Sequence, residues 1–158
     1  PLVEKSDYKR IVNVSSSAHY GIDFEFDNLN GEKKYSGFDI YKKSKLANVM
    51  FTYELAKRVR DKGITANCLH PGFVSTNFGK NNNLLWRNVI RVAMWLTAIS
   101  VKDGAKTSIH LACSDEVKDI TGRFFANSQV KKGSSKAKNE EHNQKLWELS
   151  EEFVEKFV

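Results

Sequence analysis

Cysteine, proline and long hydrophobic runs are all scarce in this chain. Cys68 and Cys113 are the only cysteines among 158 residues, and neither belongs to a Cys-x-x-Cys pair. This usage predicts a reducing compartment and two buried thiols, with one disulfide left open as an alternative. The opening residues lack the basic-then-apolar order of a signal peptide, and no run of about 18 uncharged apolar residues follows. We therefore expect no leader and no membrane-spanning helix in these residues.

The remaining composition is that of an ordinary globular domain. Hydrophobic residues make up 41% and charged residues 28%, with nine glycines and two prolines, which excludes a collagen, a coiled coil and a disordered tail. The formal net charge of +6 would tolerate an anionic partner, but the basic residues are dispersed. We expect no nucleic-acid partner, because no base-reading motif is present, and a location in the cytosol or on the cytosolic face of an intracellular membrane.

Strand-like and helix-like segments alternate along the chain. Short apolar or β-branched runs predict strands at residues 10–15, 64–69 and 122–126. Apolar spacings of three and four predict helices at about residues 39–62, 102–113 and 139–157. This order predicts right-handed crossovers and an α/β fold with about three parallel strands. The basic stretch at residues 131–138 is predicted to be a solvated linker loop.

Polar loops follow two of the predicted strands. Residues 15–17 follow the first strand and residues 70–76 follow the second. Ligands of doubly wound sheets bind outside the carboxyl ends of the strands, so we expect these two loops to face one crevice. The long polar connection at residues 18–37 is also typical of a functional loop.

The segment Tyr-Lys-Lys-Ser-Lys at residues 41–45 is the sharpest chemical feature. Tyr41 and Lys45 lie four residues apart on a predicted helix and therefore on one face. A free phenol has a pKa of about 10, and a nearby ammonium favours its ionised form, which suits it to acid–base chemistry near neutral pH. A half-buried tyrosine beside a solvated lysine, with no catalytic role, has the same spacing. The pair therefore indicates a catalytic site only together with the neighbouring motifs.

Three motifs in this order resemble the short-chain dehydrogenase/reductase family. They are a strand ending in Asn-Val-Ser-Ser-Ser, the Tyr-x-x-x-Lys helix, and a strand ending in His-Pro-Gly-Phe-Val-Ser-Thr. The segments Arg-Ile-Val-Asn-Val-Ser-Ser and Ser-Lys-Leu-Ala-Asn are similar to those of the retinol dehydrogenase branch, and the resemblance covers nearly the whole chain. It implies a Rossmann-type doubly wound parallel sheet, of which residues 1–158 supply the C-terminal catalytic half.

The resemblance also implies catalytic roles. Ser16, which aligns better than Ser15 or Ser17, would hold the substrate oxygen. Tyr41 would give a proton to the carbonyl oxygen in reduction or remove the hydroxyl proton in oxidation. Lys45 would hydrogen-bond the nicotinamide ribose and lower the pKa of Tyr41. The hydride itself would come from the cofactor, for which NADP(H) is favoured over NAD(H).

The loop after the second predicted strand matches the part of the family that packs on the nicotinamide. The matching positions, together with Tyr41 and Lys45, form the implied cofactor-binding set: Pro71, Gly72, Val74 and Thr76. We interpret His70 as a structural residue behind the site, and His19 as a surface or substrate-loop residue. No metal is implied, because His110 and Cys113 share a helix face without a second ligand pair.

Two parts of the family pattern are missing from these residues. The Gly-rich turn that receives the pyrophosphate, and the residue that selects NAD or NADP, would precede them. The family's catalytic asparagine would lie there too. We expect an N-terminal cofactor-binding half in the native protein, since without it the strand at residues 10–15 would expose an apolar edge. The alternative is a truncated, non-catalytic module that binds a protein or a membrane.

Residues 84–99 form a strongly apolar stretch with Arg87 and Arg91. It is too short and too charged to span a bilayer. A hydrophobic lid over the substrate is the first interpretation, peripheral membrane contact the second, and core packing the third. The first two favour a lipophilic alcohol or carbonyl substrate of the retinoid, steroid or fatty-aldehyde class. A serine hydrolase is disfavoured, because no Gly-x-Ser-x-Gly elbow surrounds the serines.

Overall fold

The secondary structure comes from a computed structural model that describes residues 2–29, 31–74 and 99–157. Four strands and three α-helices occur within those ranges. In chain order they are β1 (Arg10–Val14), α1 (Gly37–Arg58), β2 (Thr65–His70), α2 (Val101–Cys113), β3 (Phe124–Ala126), β4 (Gln129–Lys131) and α3 (Glu140–Glu155). Short 3-10 turns join them, including Ser17–His19 after β1 and Ser135–Lys138 before α3.

The strands form one sheet in the order β1-β2-β3-β4. β1, β2 and β3 are parallel, and β4 returns antiparallel to β3. The predicted α/β architecture with a parallel sheet is therefore confirmed. β2 is buried over residues 66–69, whereas β1 forms an edge among the described strands and leaves Val14 50% exposed. Parallel strands are typically covered by helices on both faces, and here β2 is covered in this way whereas the end of β1 is not.

Two apolar clusters cover the opposite faces of the sheet. Successive side chains of a strand point to opposite faces, so Cys68 joins one cluster and Leu69 the other. The first cluster packs α1 and α3 on the sheet through Leu46, Val49, Met50, Cys68, Phe124, Ala137 and Leu146. The second packs α2 on the other face through Leu69, Leu111, Val117 and Phe125.

Polar side chains begin each helix. Ser36, Ser100 and Asn139 accept backbone N–H bonds from the first turns of α1, α2 and α3. α1 ends at Arg58 rather than at the predicted residue 62, because the chain tightens into a 3-10 turn over Arg60–Lys62. Gly63 then ends the turn with a φ of 66°, which confirms the predicted glycine stop.

The prediction of a solvated linker at residues 131–138 is wrong. Lys131 belongs to β4, and both Ser134 and Ala137 are buried. Ala137 packs in the first apolar cluster, and Ser134 meets the loop after β1. The lysines of this stretch are exposed, whereas two of its small residues are buried. Its composition therefore indicated a loop, because the lysines outnumber the residues that pack in the core.

The two cysteines differ in environment. Cys68 is buried, and burial raises the pKa of its thiol to about 12. Cys113 is exposed at the end of α2, so the prediction of two buried thiols holds for Cys68 alone. Both are free thiols, which excludes a disulfide between them in this structure. Among the described residues, no helix has the length and apolar character needed to cross a membrane.

Candidate active site

Helix α1 is hydrogen-bonded to the carboxyl end of β1. The Ser15 hydroxyl donates to the carbonyl oxygen of Lys45 at 2.7 Å, and the Asn48 side-chain amide donates to the carbonyl oxygen of Val14 at 3.1 Å. The Ser15 N–H also donates to the carbonyl oxygen of Leu69 at 2.7 Å, next to the last residue pair of the β1–β2 ladder. These bonds hold the turn of α1 that carries Lys45 against the point where β1 ends.

The three serines after β1 have different environments. Ser15 is buried and its hydroxyl is used by α1, whereas Ser17 is exposed. Ser16 is partly exposed, and its hydroxyl oxygen accepts from the N–H of Ala18 at 3.2 Å. Within the described residues that hydroxyl donates to no acceptor, so its proton is available to a ligand oxygen. The Ser15 hydroxyl is thus committed to α1, and Ser16 remains the predicted catalytic serine.

Tyr41 and Lys45 lie on one face of α1, as their spacing predicts. The Lys45 ammonium is 5.7 Å from the centroid of the Tyr41 ring. Lys42 donates to a backbone carbonyl and Lys43 forms a 2.6 Å ion pair with Glu25. In the described part of the chain, Lys45 has no such partner, and its charge can act on the phenol beside it and on a bound hydroxyl.

The loop after β2 supplies the next predicted positions. Pro71 and Gly72 follow directly on β2, and Val74 pairs with Ile99 in a parallel bridge. Gly72 has a φ of 92°, and a Cβ placed on it would lie 2.6 Å from the Ile99 Cδ1 atom. Thr76 lies outside the described residues, as do residues 84–98 of the predicted hydrophobic lid, so both remain predictions.

A Gly72→Ala substitution is expected to destabilise the protein by about 1–3 kcal/mol, because it adds backbone strain and a contact with Ile99. Gly63→Ala is the matched control, since Gly63 also has a positive φ but nothing within 4 Å of its Cβ position. Urea denaturation of both variants measures the difference. Equal losses of unfolding free energy would show that the Ile99 contact contributes nothing.

His19 contradicts the prediction of a surface residue. It is fully buried, with its ring centroid 4.6 Å from Phe124 and 3.9 Å from Tyr20. Its Nε2 accepts the N–H of Ser134 at 3.0 Å, and its Nδ1 lies 2.6 Å from the carbonyl oxygen of Ser16. Sequence reasoning missed this residue because a single 3-10 turn has no periodic pattern to reveal its buried side.

Burial also perturbs His70, at the end of β2. Its Nδ1 is buried and has no hydrogen-bond partner in the described part of the chain. Burial lowers the pKa of His70, and proximity to His19 lowers it further. Burial likewise lowers the pKa of His19, although its bond to the Ser16 carbonyl opposes the shift. Both imidazoles therefore favour their neutral forms, as expected of structural residues behind the site.

The two lowered pKa values predict acid sensitivity. A histidine whose folded-state pKa lies below the unfolded value of about 6.5 takes up its proton first in the unfolded chain. Stability is therefore complete above that value and falls as the pH decreases below it, by up to about 1.4 kcal/mol per pH unit for each such histidine. Urea melts at pH 7, 6 and 5 measure this slope, which His70→Gln should reduce. A flat profile in the unmodified protein would contradict the prediction.

Within residues 2–29, 31–74 and 99–157, no three His, Cys, Asp or Glu side chains converge as metal ligands would. The structure instead has Tyr41 and Lys45 on one face of α1, whose backbone at Lys45 is bonded to the residue before Ser16 at the end of β1. The family profile described as short chain dehydrogenase matches residues 1–84, which include all three residues. The chain belongs to the short-chain dehydrogenase family.

The sequence relatives fall in the retinol dehydrogenase branch. Retinol dehydrogenase 14 of Mus musculus is 39% identical over 155 residues, which cover 97% of this chain and 46% of the relative. Retinol dehydrogenase 11 of Homo sapiens is 36% identical over 94% of this chain and 46% of its own length. This short-chain dehydrogenase chain thus spans about half the length of the curated relatives it matches.

Solved structures share the fold. An uncharacterised protein from Mycobacterium paratuberculosis superposes with a TM-score of 0.67 and 28% identity, over 92% of this chain and 50% of that one. A blue fluorescent protein from a metagenomic library, solved in complex with NADPH, gives a TM-score of 0.52 and 27% identity. The match covers 76% of this chain and 44% of that one. The Rossmann-type architecture of the described sheet is therefore that of the family.

Proposed function

We propose that this chain is the C-terminal catalytic half of a single short-chain dehydrogenase domain. The complete protein would be an NAD(P)-dependent oxidoreductase that interconverts an alcohol and a carbonyl on a lipophilic substrate. One observation carries the proposal. Tyr41 and Lys45 share a face of α1, and the Ser15 hydroxyl bonds the Lys45 carbonyl, so this part of α1 is held beside the end of β1 where Ser16 follows. The exposed edge at β1, where Val14 is half-exposed, supports a further strand in the complete domain.

The proposed chemistry is a proton transfer at the substrate oxygen. In reduction, the Tyr41 hydroxyl donates its proton to the carbonyl oxygen, and in oxidation the phenolate accepts the proton of the alcohol. The Ser16 hydroxyl, which donates to no acceptor among the described residues, hydrogen-bonds the same oxygen. The Lys45 ammonium stabilises the phenolate by its charge. When bound, the nicotinamide cofactor supplies or accepts the hydride.

The residues present fit a nicotinamide nucleotide. The Lys45 ammonium and the Tyr41 hydroxyl would bind the ribose, and Pro71, Gly72, Val74 and Thr76 would pack on the nicotinamide. Pro71 and Gly72 begin the loop at the carboxyl end of β2, the edge of the sheet where nucleotides bind in folds of this type. NADPH is bound by one solved structure that is 27% identical, which supports our preference for NADP(H) over NAD(H).

The proposed substrate class comes from the sequence relatives. They are named as retinol dehydrogenases, and this supports a retinoid alcohol or aldehyde, with steroids and fatty aldehydes as comparators. The test uses the full-length protein and follows NADPH or NADH oxidation with retinaldehyde, a steroid ketone and a long-chain aldehyde. Saturable turnover of at least one lipophilic carbonyl is expected. If neither NADPH nor NADH binds, the proposal is overturned and a non-catalytic binding module is favoured.

A further inference from the structure

The loop that carries Ser16 is attached to a segment more than 100 residues further along the chain. His19 and Tyr20 form the attachment from one side, and Lys132 and Ser134 from the other. The Tyr20 hydroxyl donates to the carbonyl oxygen of Lys132, and the Ser134 N–H donates to Nε2 of His19 at 3.0 Å. The His19–Ser134 bond is buried at both ends, which protects it from competition by water.

The hydrogen-bond partners of His19 determine which nitrogen carries the proton. The Ser16 carbonyl oxygen, 2.6 Å from Nδ1, can only accept, so Nδ1 is the protonated nitrogen. Nε2 then holds a lone pair and accepts from the Ser134 N–H. A neutral ring with the proton on Nδ1 satisfies both partners at once, whereas the other tautomer would satisfy neither. We call these two bonds the His19 link.

The ring is also held by packing. It lies against Phe124 of β3 and Tyr20, with both ring centroids within 5 Å of its own. β3 and the segment after β4 therefore determine where the ring sits, and the ring in turn holds the backbone of Ser16. No other side chain in the described residues bonds the Ser16 carbonyl oxygen.

We propose that His19 is a positioning residue, which acts through the Ser16 backbone to place the Ser16 hydroxyl at the substrate oxygen. The inference rests on the proposed function and extends it to a residue that touches neither substrate nor cofactor. Displacement of a catalytic group by about 1 Å can cost roughly 100-fold in rate. Loss of the hydrogen bond from His19 Nδ1 to the Ser16 carbonyl is therefore expected to lower kcat, while KM for the cofactor stays within about twofold of its original value.

Two isosteric variants separate the two ends of the link. In His19→Asn, the amide N–H lies near the Nδ1 position and can donate to the Ser16 carbonyl, but the bond to Ser134 is lost. In His19→Gln, the amide oxygen reaches the Nε2 position and can accept from Ser134, but the bond to Ser16 is lost. Both variants lose the ring contact with Phe124, so their melting temperatures should fall by similar amounts.

Steady-state kinetics on the full-length protein test the His19 link. His19→Gln and His19→Asn are each expected to lower kcat by roughly 10- to 100-fold, because each breaks one end of the link through which β3 and the segment after β4 hold Ser16. In a Ser16→Ala background, neither substitution should have much further effect, because His19 and Ser16 act as one unit. A kcat within about threefold of the unmodified enzyme in either single variant, or the full loss again in the Ser16→Ala background, would overturn the inference.

A nitrogen-15 spectrum of the imidazoles provides a readout that does not depend on activity. The His19 ring should be neutral with its proton on Nδ1 at pH 7, and Ser134→Pro should shift the Nε2 signal. A proton on Nε2 would overturn the link even if the enzyme is active. An inactive protein with the Nδ1 tautomer would instead overturn the proposed function, and with it the catalytic role assigned to His19.

Discussion

Replacement of Tyr41 by Phe is expected to lower kcat/KM for carbonyl reduction by about 10²–10⁴-fold, the usual contribution of a positioned acid or base. The substitution removes the hydroxyl that transfers the proton and leaves α1 and its bonds to β1 unchanged. The measurement is the initial rate of NADPH oxidation by the full-length protein. Nucleotide binding should weaken far less than kcat/KM falls, because only one proposed ribose contact is lost while Lys45 and the loop after β2 remain.

Tyr35→Phe is the matched control for that experiment. Tyr35 is 74% exposed and lies before α1, so loss of its hydroxyl should leave kcat/KM within about twofold of the unmodified enzyme. A Tyr41→Phe enzyme that keeps more than about a tenth of the activity would show that another group supplies the proton. That outcome would remove Tyr41 from the mechanism without affecting the assignment of the family.

Truncation of Phe124 to Ala is expected to cost about 3–5 kcal/mol of unfolding free energy, a large part of the stability of a typical domain. Phe124 is 2% exposed and belongs to the apolar cluster between the sheet, α1 and α3. Its ring also contacts the His19 ring, so the cavity would lie beside the loop that carries Ser16. Equilibrium denaturation in urea measures the loss.

Phe153→Ala provides the comparison for the same side-chain truncation on the surface. Phe153 is 61% exposed near the end of α3, and its replacement should change stability by no more than about 0.5 kcal/mol. A Phe124→Ala variant as stable as Phe153→Ala would mean that this cluster does not hold the sheet to its helices. At urea concentrations below its unfolding midpoint, Phe124→Ala should also be less active, because the His19 ring that positions Ser16 loses its contact with Phe124.

Local patterns predicted most of the elements, because helices and strands have short periods. The strand at residues 10–15 and the start of the helix that carries Tyr41 lie within two residues of their observed bounds, and Gly63 ends the 3-10 turn that follows α1 through its left-handed conformation. The short strand β4 was missed. It has only three exposed residues and pairs at the edge of the sheet, so no buried apolar run indicates it.

The candidate site was partly predictable for the same reason. The spacing of Tyr41 and Lys45 implies a shared helix face, and the structure has them on that face. Spacing did not reveal which of the lysines beside Tyr41 forms an ion pair. Lys43 pairs with Glu25 only because the connection after β1 folds back on α1, a contact that depends on the tertiary structure.

By itself, the sequence determined the fold class, the helix faces and the order of motifs that assign the family, since each depends on residues close together in the chain. Only the tertiary structure decided that His19 is buried, that Ser15 rather than Ser16 bonds α1, and that the segment around Ser134 is part of the core. The bond between His19 and Ser134 joins residues 115 positions apart. Such contacts have no period in the sequence, because they form only when the sheet and helices have packed together.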